Sequence, residues 1–135
     1  MKATRLVIAG LSAQVVGVAT QGLWHALLAN SDSRLLTEDR TFLIDHTISN
    51  LGVAAMVVGA RQLHRQRPSA ASRAVLTGTA LEVVGAVGDM LSHFWGGESP
   101  VAFALIGAGF VTAVAGLFVD IKKARQARSV LAREG

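Results

Sequence analysis

Residues 105–119 read LIGAGFVTAVAGLFV and carry no charged side chain. They belong to a longer charge-free stretch, Val101–Val119, that has no polar face. Each helix of a soluble four-helix bundle keeps a polar outer face, so this stretch instead predicts a helix that crosses a membrane. The composition agrees, because only 16% of the 135 residues are charged, against roughly 25% in a soluble domain.

Three more apolar stretches precede this one. The first, Leu6–Ala29, has no charged side chain and exceeds the ~20 residues that cross a ~30 Å hydrocarbon core. The other two run over 42–60 and 74–95 and contain three acidic residues between them. The sequence therefore predicts an all-α fold, a bundle of four transmembrane helices in one integral membrane domain over 1–135. The expected spans are about 6–29, 41–62, 73–95 and 100–121, followed by a basic tail at 122–135.

Basic residues indicate the orientation of these spans. Eleven of the thirteen lie before span one, between spans two and three, or after span four. The positive-inside rule then predicts a multi-pass membrane protein with both termini in the cytoplasm. Trp24 and Trp95 fall at the outer ends of their spans, at the headgroup boundary where indoles are enriched. His64 is expected to be a solvated residue of the inner loop. Membrane lipids, and no nucleic acid, are the expected partners, because the basic residues mark segment ends and form no face.

An internal repeat relates the two halves of the chain. The pattern Q/E-x6-Q/D-x3-H begins once at Gln14 and once at Glu82. At 100° per residue its three polar positions lie on one stripe of each helix. This predicts two pseudo-repeated helical hairpins, related by a pseudo-twofold axis along the membrane normal. Spans one and three are then expected to touch at the centre through Gly17 and Gly85, because small residues permit close contact in lipid.

A layer of polar side chains is predicted just inside the outer surface. A rise of 1.5 Å per residue from the inner arginines places side chains of three spans at this depth: Gln21, His25, Asp45, His46, Asp89 and His93. Asn50 lies one turn below His46 and can join them. Ionisable residues inside a membrane are costly and mark functional sites. The alternative is that they only hydrogen-bond across helices and hold their register.

The layer contains the donors of a transition-metal site. Imidazole and carboxylate groups suit Zn, Fe, Mn or Cu, and Asp89 and His93 are spaced one helical turn apart, as ligands are in helical-bundle metal sites. The predicted ligand set is His25, His46, Asp89 and His93. Three amides, Gln14, Gln21 and Asn50, are the candidate cofactor-binding residues around it, and Asp45 is a further acceptor. Haem bound by two histidines is the less favoured cofactor, because the layer is rich in carboxylate.

Glu82 is expected at mid-bilayer beside Gln14, with no cationic side chain near it in the sequence. It is either a neutral carboxylic acid paired with an amide or a general acid. In the second case Glu82, Asp89 and Asp45 are the candidate catalytic residues.

Three functions stay open. One is a metalloprotein acting on a lipid-soluble small molecule through an outward-facing site. The second is a metal-free acid/base isomerase or cyclase for an isoprenoid-like substrate. The third is a non-enzymatic membrane subunit or carrier. The chain has no cysteine and no nucleotide-binding glycine loop, which excludes thiol chemistry and the common nucleotide-binding enzymes. A homo-oligomer is left open by the sequence.

Three segments carry a resemblance. VVGVATQGLWHAL (15–27), RLLTEDRTFLIDH (34–46) and LEVVGAVGDMLSHFW (81–95) resemble small four-span integral membrane proteins of bacteria, mainly of actinobacteria. The resemblance implies a four-span membrane fold in the cytoplasmic (inner) membrane of a bacterium and implies no particular reaction.

Overall fold

Four α-helices make up the part of the chain that the structure describes. The computed structural model describes residues 2–28, 38–95 and 99–134, without the side chains at 24, 25, 28, 38–45, 94 and 134. Over these residues there is no strand, and the helices are α1 (Lys2–Leu28), α2 (Glu38–Gln66), α3 (Ala70–Phe94) and α4 (Pro100–Glu134). The all-α prediction is confirmed. The basic segment expected as a tail after residue 121 continues α4 as regular helix through residue 134.

Three of these helices are long and apolar enough to cross a membrane, as judged over the described residues. They contain the segments Lys2–Leu23, Ala70–His93 and Pro100–Arg133. Large hydrophobic side chains point outward from the bundle, among them Val18, Val111 and Phe118. An apolar exterior is what a lipid environment requires and water disfavours. The described chain therefore has the surface of a membrane protein.

Helices α1 and α2 form a tight antiparallel hairpin through glycine. Gly10 lies against Gly52 and Met56, and Gly59 lies against Val7. A Cβ atom added to Gly10 would lie 2.5 Å from the carbonyl oxygen of Gly52. The two backbones are thus close enough that only the absence of a side chain permits the contact.

Helices α3 and α4 pair in the same way. Gly78 lies against Gly109 and Ala113, and Gly116 lies against Val75. A Cβ atom on Gly78 would lie 2.5 Å from both the amide nitrogen of Ala113 and the carbonyl oxygen of Gly109. The chain is therefore built as two glycine-packed hairpins, joined mainly where α2 meets α3.

The expected contact between spans one and three through Gly17 and Gly85 is wrong for Gly85. That glycine faces Ala102 and Ile106 of α4, and no part of the described α1 backbone closely approaches α3. The two helices are diagonal in the bundle and meet only through long side chains. The physical reason is that the glycines on the polar stripe pack against the hairpin partner.

The short connection between α2 and α3 lies at the same end as the two termini. Ser69 caps α3 by accepting a hydrogen bond from the backbone N–H of Ser72, whose hydroxyl in turn accepts one from the N–H of Ser69. Such a capping box satisfies two free donors of a helix start. The buried apolar core fills this half of the bundle and includes Val7, Leu63 and Leu117. The opposite half contains the polar cluster described below.

Candidate functional site

Two histidines and an aspartate meet at the end of the bundle farthest from the termini. His46 comes from α2, whereas Asp89 and His93 come from consecutive turns of α3. His46 Nε2 lies 3.3 Å from Asp89 Oδ2, and His93 Nδ1 lies 3.8 Å from Asp89 Oδ1. The two imidazole rings are 5.8 Å apart between centroids and nearly perpendicular, at 73°. We call these three residues the His–Asp cluster.

The carboxylate of the His–Asp cluster is buried and its imidazoles are partly accessible. The exposed fraction of the side chain is 8% for Asp89, 23% for His46 and 35% for His93. Asp89 Oδ1 has no hydrogen-bond partner among the described residues. A buried acceptor without a donor is costly, and a bound cation or proton would relieve that cost. The cation or proton would reach Asp89 past the two imidazoles, which are partly exposed.

His93 is held in a defined orientation by its own helix. Its Nδ1 atom lies 3.0 Å from the backbone carbonyl oxygen of Asp89, one turn earlier. If Nδ1 carries the proton, it donates to this carbonyl, and Nε2 becomes the nitrogen able to bind a metal. Histidines that bind metals are commonly oriented by such a bond from the other ring nitrogen to a backbone carbonyl.

The structure brings together three of the four predicted metal ligands. The side chains of the fourth, His25, and of the predicted acceptor Asp45 lie outside the described residues. Gln21 is half-buried and Asn50 is exposed. Among the described side chains, no group of three or more histidine, cysteine or acidic residues has the geometry of a metal site. The four-ligand site therefore stays a prediction.

A second polar cluster lies in the middle of the bundle. Gln14 Nε2 donates to Glu82 Oε2 at 2.6 Å and lies 2.9 Å from Met56 Sδ. Glu82 is fully buried, and its Oε1 atom has no hydrogen-bond partner among the described residues. The pairing of Glu82 with Gln14 that the repeat predicted is present. The contact of Met56 was missed, since a methionine in an apolar stretch gives no sign of a polar neighbour.

A third polar cluster, which the sequence did not predict, lies at the end with the termini. Arg67 Nη2 donates to Thr4 Oγ1 at 3.0 Å and lies 2.9 Å from Asp120 Oδ2. The second contact is an ion pair, and the Asp120 side chain is 6% exposed. The available signal was a single acidic residue directly after the last apolar span, among five basic ones.

His64 also differs from expectation. It lies within α2 and is half-buried, with its Nδ1 atom 3.1 Å from Ser72 Oγ. The interpretation of His64 as a solvated loop residue was wrong, because α2 continues as helix through the basic segment to Gln66. It belongs to the capped junction of α2 and α3.

These three clusters follow one another along the bundle. Asp89 is seven residues beyond Glu82 on α3, which corresponds to about 10 Å along the helix axis. Comparison with known proteins gives no match: no protein-family model, curated protein or solved structure is significantly similar to this chain.

Proposed function

We propose that this chain is a four-span protein of a bacterial cytoplasmic membrane that holds a divalent transition metal at the His–Asp cluster, for chemistry on a lipid-soluble substrate. The observation that carries the proposal is the convergence of His46, Asp89 and His93 from two helices. All three belong to the ligand set that the sequence predicts.

The fourth span in this proposal is α2. Helices α1 and α3 both pack antiparallel to α2, with His46 near Asp89 at one end and His64 near Ser72 at the other. Two apolar spans that run in the same direction need a return crossing between them, and α2 makes this connection. Its length of 29 residues is sufficient, since about 20 residues cross the hydrocarbon core.

The two hairpins are proposed to be pseudo-repeats, and equivalent glycine contacts support this. In the first hairpin Gly10 meets Gly52 and Gly59 meets Val7. In the second, Gly78 meets Gly109 and Gly116 meets Val75. Residues of the first helix of each hairpin are related by a shift of 68 positions (78 − 10 and 75 − 7), and those of the second helix by 57 (109 − 52 and 116 − 59).

The proposed orientation has both termini and the α2–α3 connection in the cytoplasm. These three regions contain eleven of the thirteen basic residues, and basic residues are retained on the cytoplasmic side. The His–Asp cluster then lies near the outer surface. A substrate dissolved in the outer leaflet would reach the imidazoles without passing through the bundle.

The donor set supports a metal of the Zn, Fe, Mn or Cu type. Neutral imidazole nitrogens and one carboxylate are suitable ligands for these ions. His46 Nε2 and Asp89 Oδ2 lie 3.3 Å apart, so two of the proposed donor atoms are adjacent. His25 on α1 is the proposed fourth ligand, and Asp45 is proposed as a further acceptor. The metal would supply a Lewis acid or redox centre, and the chain's own residues would hold and shield it.

A second function is favoured by the two buried carboxylates. Glu82 and Asp89 each have an oxygen without a hydrogen-bond partner among the described residues. Carboxyl groups placed this way can take up and release protons. In this alternative the chain is a metal-free acid/base isomerase or cyclase for an isoprenoid-like substrate, with Glu82, Asp89 and Asp45 as proton donors and acceptors.

Metal analysis of the detergent-purified protein separates the two functions. We expect about one metal ion per site in the wild-type protein and a large loss in both His46→Ala and His93→Ala. His64→Ala is the matched control, because it also removes an imidazole engaged in a hydrogen bond, and it should retain the metal. Absence of metal from the wild-type protein after incubation with each candidate ion would overturn the metal site and favour the acid/base alternative.

A further inference from the structure

A cavity of about 440 Å³ lies between the start of α1 and the later turns of α4, at the end with the termini. Helices α1 and α4 approach each other over only a short stretch, without the glycine contacts that close the two hairpins. This loose packing leaves the space open. The volume is within the roughly 300–1,000 Å³ of small-molecule sites. Four arginines line it, so we call it the arginine cavity: Arg5, Arg67, Arg125 and Arg128.

One of the four arginines is held in place by the chain itself. Arg67 is ion-paired with the buried Asp120 and donates to Thr4, which also lines the cavity. These contacts hold the Arg67 guanidinium in the cavity lining between Thr4 of α1 and Asp120 of α4. A pre-positioned arginine loses less side-chain freedom when it binds a ligand.

The other three arginines give the cavity an uncompensated positive charge. Arg5 on α1 and Arg125 and Arg128 on α4 form no ion pair among the described residues. Asp120 offsets one of the four charges, which leaves three. Such a concentration of positive charge attracts an anion. The guanidinium groups favour phosphate in particular, because the planar fork matches two phosphate oxygens.

The remaining lining identifies the source of the phosphate. Ile121 and Ala124 form an apolar wall on the same face of α4 as Arg125 and Arg128, since these positions are spaced at three, four and seven residues. Arg5 directly precedes the first apolar stretch, and Ile121 lies two residues after the end of the last one at Val119. In the proposed orientation both positions are at the depth of the lipid headgroups. A phosphate that carries apolar acyl chains through its glycerol backbone matches this lining better than a free phosphate ion does.

We propose that the arginine cavity binds the phosphate headgroup of an anionic phospholipid in the cytoplasmic leaflet. Basic pockets between transmembrane helices on the cytoplasmic side are suited to such headgroups. The bound lipid would connect α1 to α4 where they lack glycine contacts, and would thereby stabilise the loosely packed side of the bundle. This inference depends on the proposed orientation and is independent of any metal.

The test compares two double variants of α4 that remove equal charge. Arg125→Gln/Arg128→Gln removes the two arginines that α4 contributes to the arginine cavity. Lys122→Gln/Lys123→Gln removes two exposed charges of α4 outside the cavity. Each protein is purified in neutral detergent and titrated with phosphatidylglycerol, with phosphatidylcholine as the zwitterionic comparison. Bound lipid is counted by native mass spectrometry, and the melting temperature is followed in parallel. Glutamine is a good helix former, so melting without lipid checks that both variants fold.

We expect the apparent affinity for phosphatidylglycerol to fall about tenfold for each cavity arginine removed, the effect of one lost charge-assisted hydrogen bond. The lysine variant should bind within about twofold of the wild-type protein, a small change on the same scale. Arg5→Gln, on the opposite wall, should weaken binding like a single α4 substitution. Equal weakening in both double variants would overturn the site in favour of general surface attraction. If inorganic phosphate raised the melting temperature as much as phosphatidylglycerol does, the assignment of the ligand as a lipid would be overturned.

Discussion

The hairpin of α3 and α4 should be sensitive to a single methyl group at Gly78. In Gly78→Ala the new Cβ would lie 2.5 Å from two backbone atoms, the amide nitrogen of Ala113 and the carbonyl oxygen of Gly109. Backbone atoms of a helix cannot rotate away as a side chain can. Because ordinary contact begins near 3.4 Å, the helices must separate by about 1 Å at their closest point.

Gly78→Ala should lower the unfolding free energy by about 2 to 3 kcal/mol, the upper end of the range for overpacked cores. The separation would also disturb the polar cluster of Gln14 and Glu82 in the middle of the bundle, because Gly109 packs against Cγ of Glu82. A loss of this size lowers the folding equilibrium constant by a factor of roughly 30 to 150. It can be measured as the unfolding free energy in mixed micelles of neutral detergent and dodecyl sulfate, followed by circular dichroism.

Gly107→Ala is the matched control on α4. A Cβ atom at Gly107 has no neighbour within 4 Å, so the substitution should be neutral or stabilise the protein slightly, by up to about 1 kcal/mol from helix propensity. Equal unfolding free energies for Gly78→Ala and Gly107→Ala would refute close glycine packing of the hairpin.

Three further predictions concern other parts of the fold. Gln14→Leu removes the donor to Glu82 and should lower the unfolding free energy by about 1 to 3 kcal/mol in the same assay. An unchanged unfolding free energy would contradict a stabilising hydrogen bond between Gln14 and Glu82. Ser69→Ala removes the cap of α3 and should lower the stability of the protein by about 1 kcal/mol, measured by thermal melting. Ser129→Ala is the control and should leave the melting temperature unchanged, because the Ser129 hydroxyl donates to a carbonyl of its own helix. Reporter fusions after Arg67 and after Gly97 should report cytoplasm and exterior respectively, and the reverse pattern would overturn the orientation.

Much of the fold is predictable because hydropathy and helical spacing are local properties. The four apolar stretches locate the helices, and the repeat pairs Gln14 with Glu82. The position of His46 beside Asp89 follows from counting equal depths along α2 and α3. These inferences need only the rise of a helix and the direction of the chain. They succeed where two contacting residues lie at the same depth along their helices.

Other contacts were not predictable because they depend on rotation of one helix against another. Gly85 could face α1 or α4, and the stripe pattern within α3 does not distinguish these directions. The pairing of Asp120 with Arg67 joins residues 53 positions apart (120 − 67), neither of which belongs to an apolar stretch. His64 was expected in a loop because it lies among charged residues after the apolar stretch. Charged residues can leave the membrane without ending the helix, and α2 continues to Gln66, two residues before Pro68.

X-ray absorption of the zinc-loaded protein tests the proposed metal site most directly. The spectrum reports the number and type of ligand atoms around the ion. We expect at least two imidazole nitrogens and one carboxylate oxygen at about 2.0–2.2 Å, with the imidazole signal reduced in His46→Ala and in His93→Ala. A zinc ion surrounded only by water and carboxylate oxygens, or a signal that is the same in both variants as in the wild-type protein, would contradict a metal site at the His–Asp cluster.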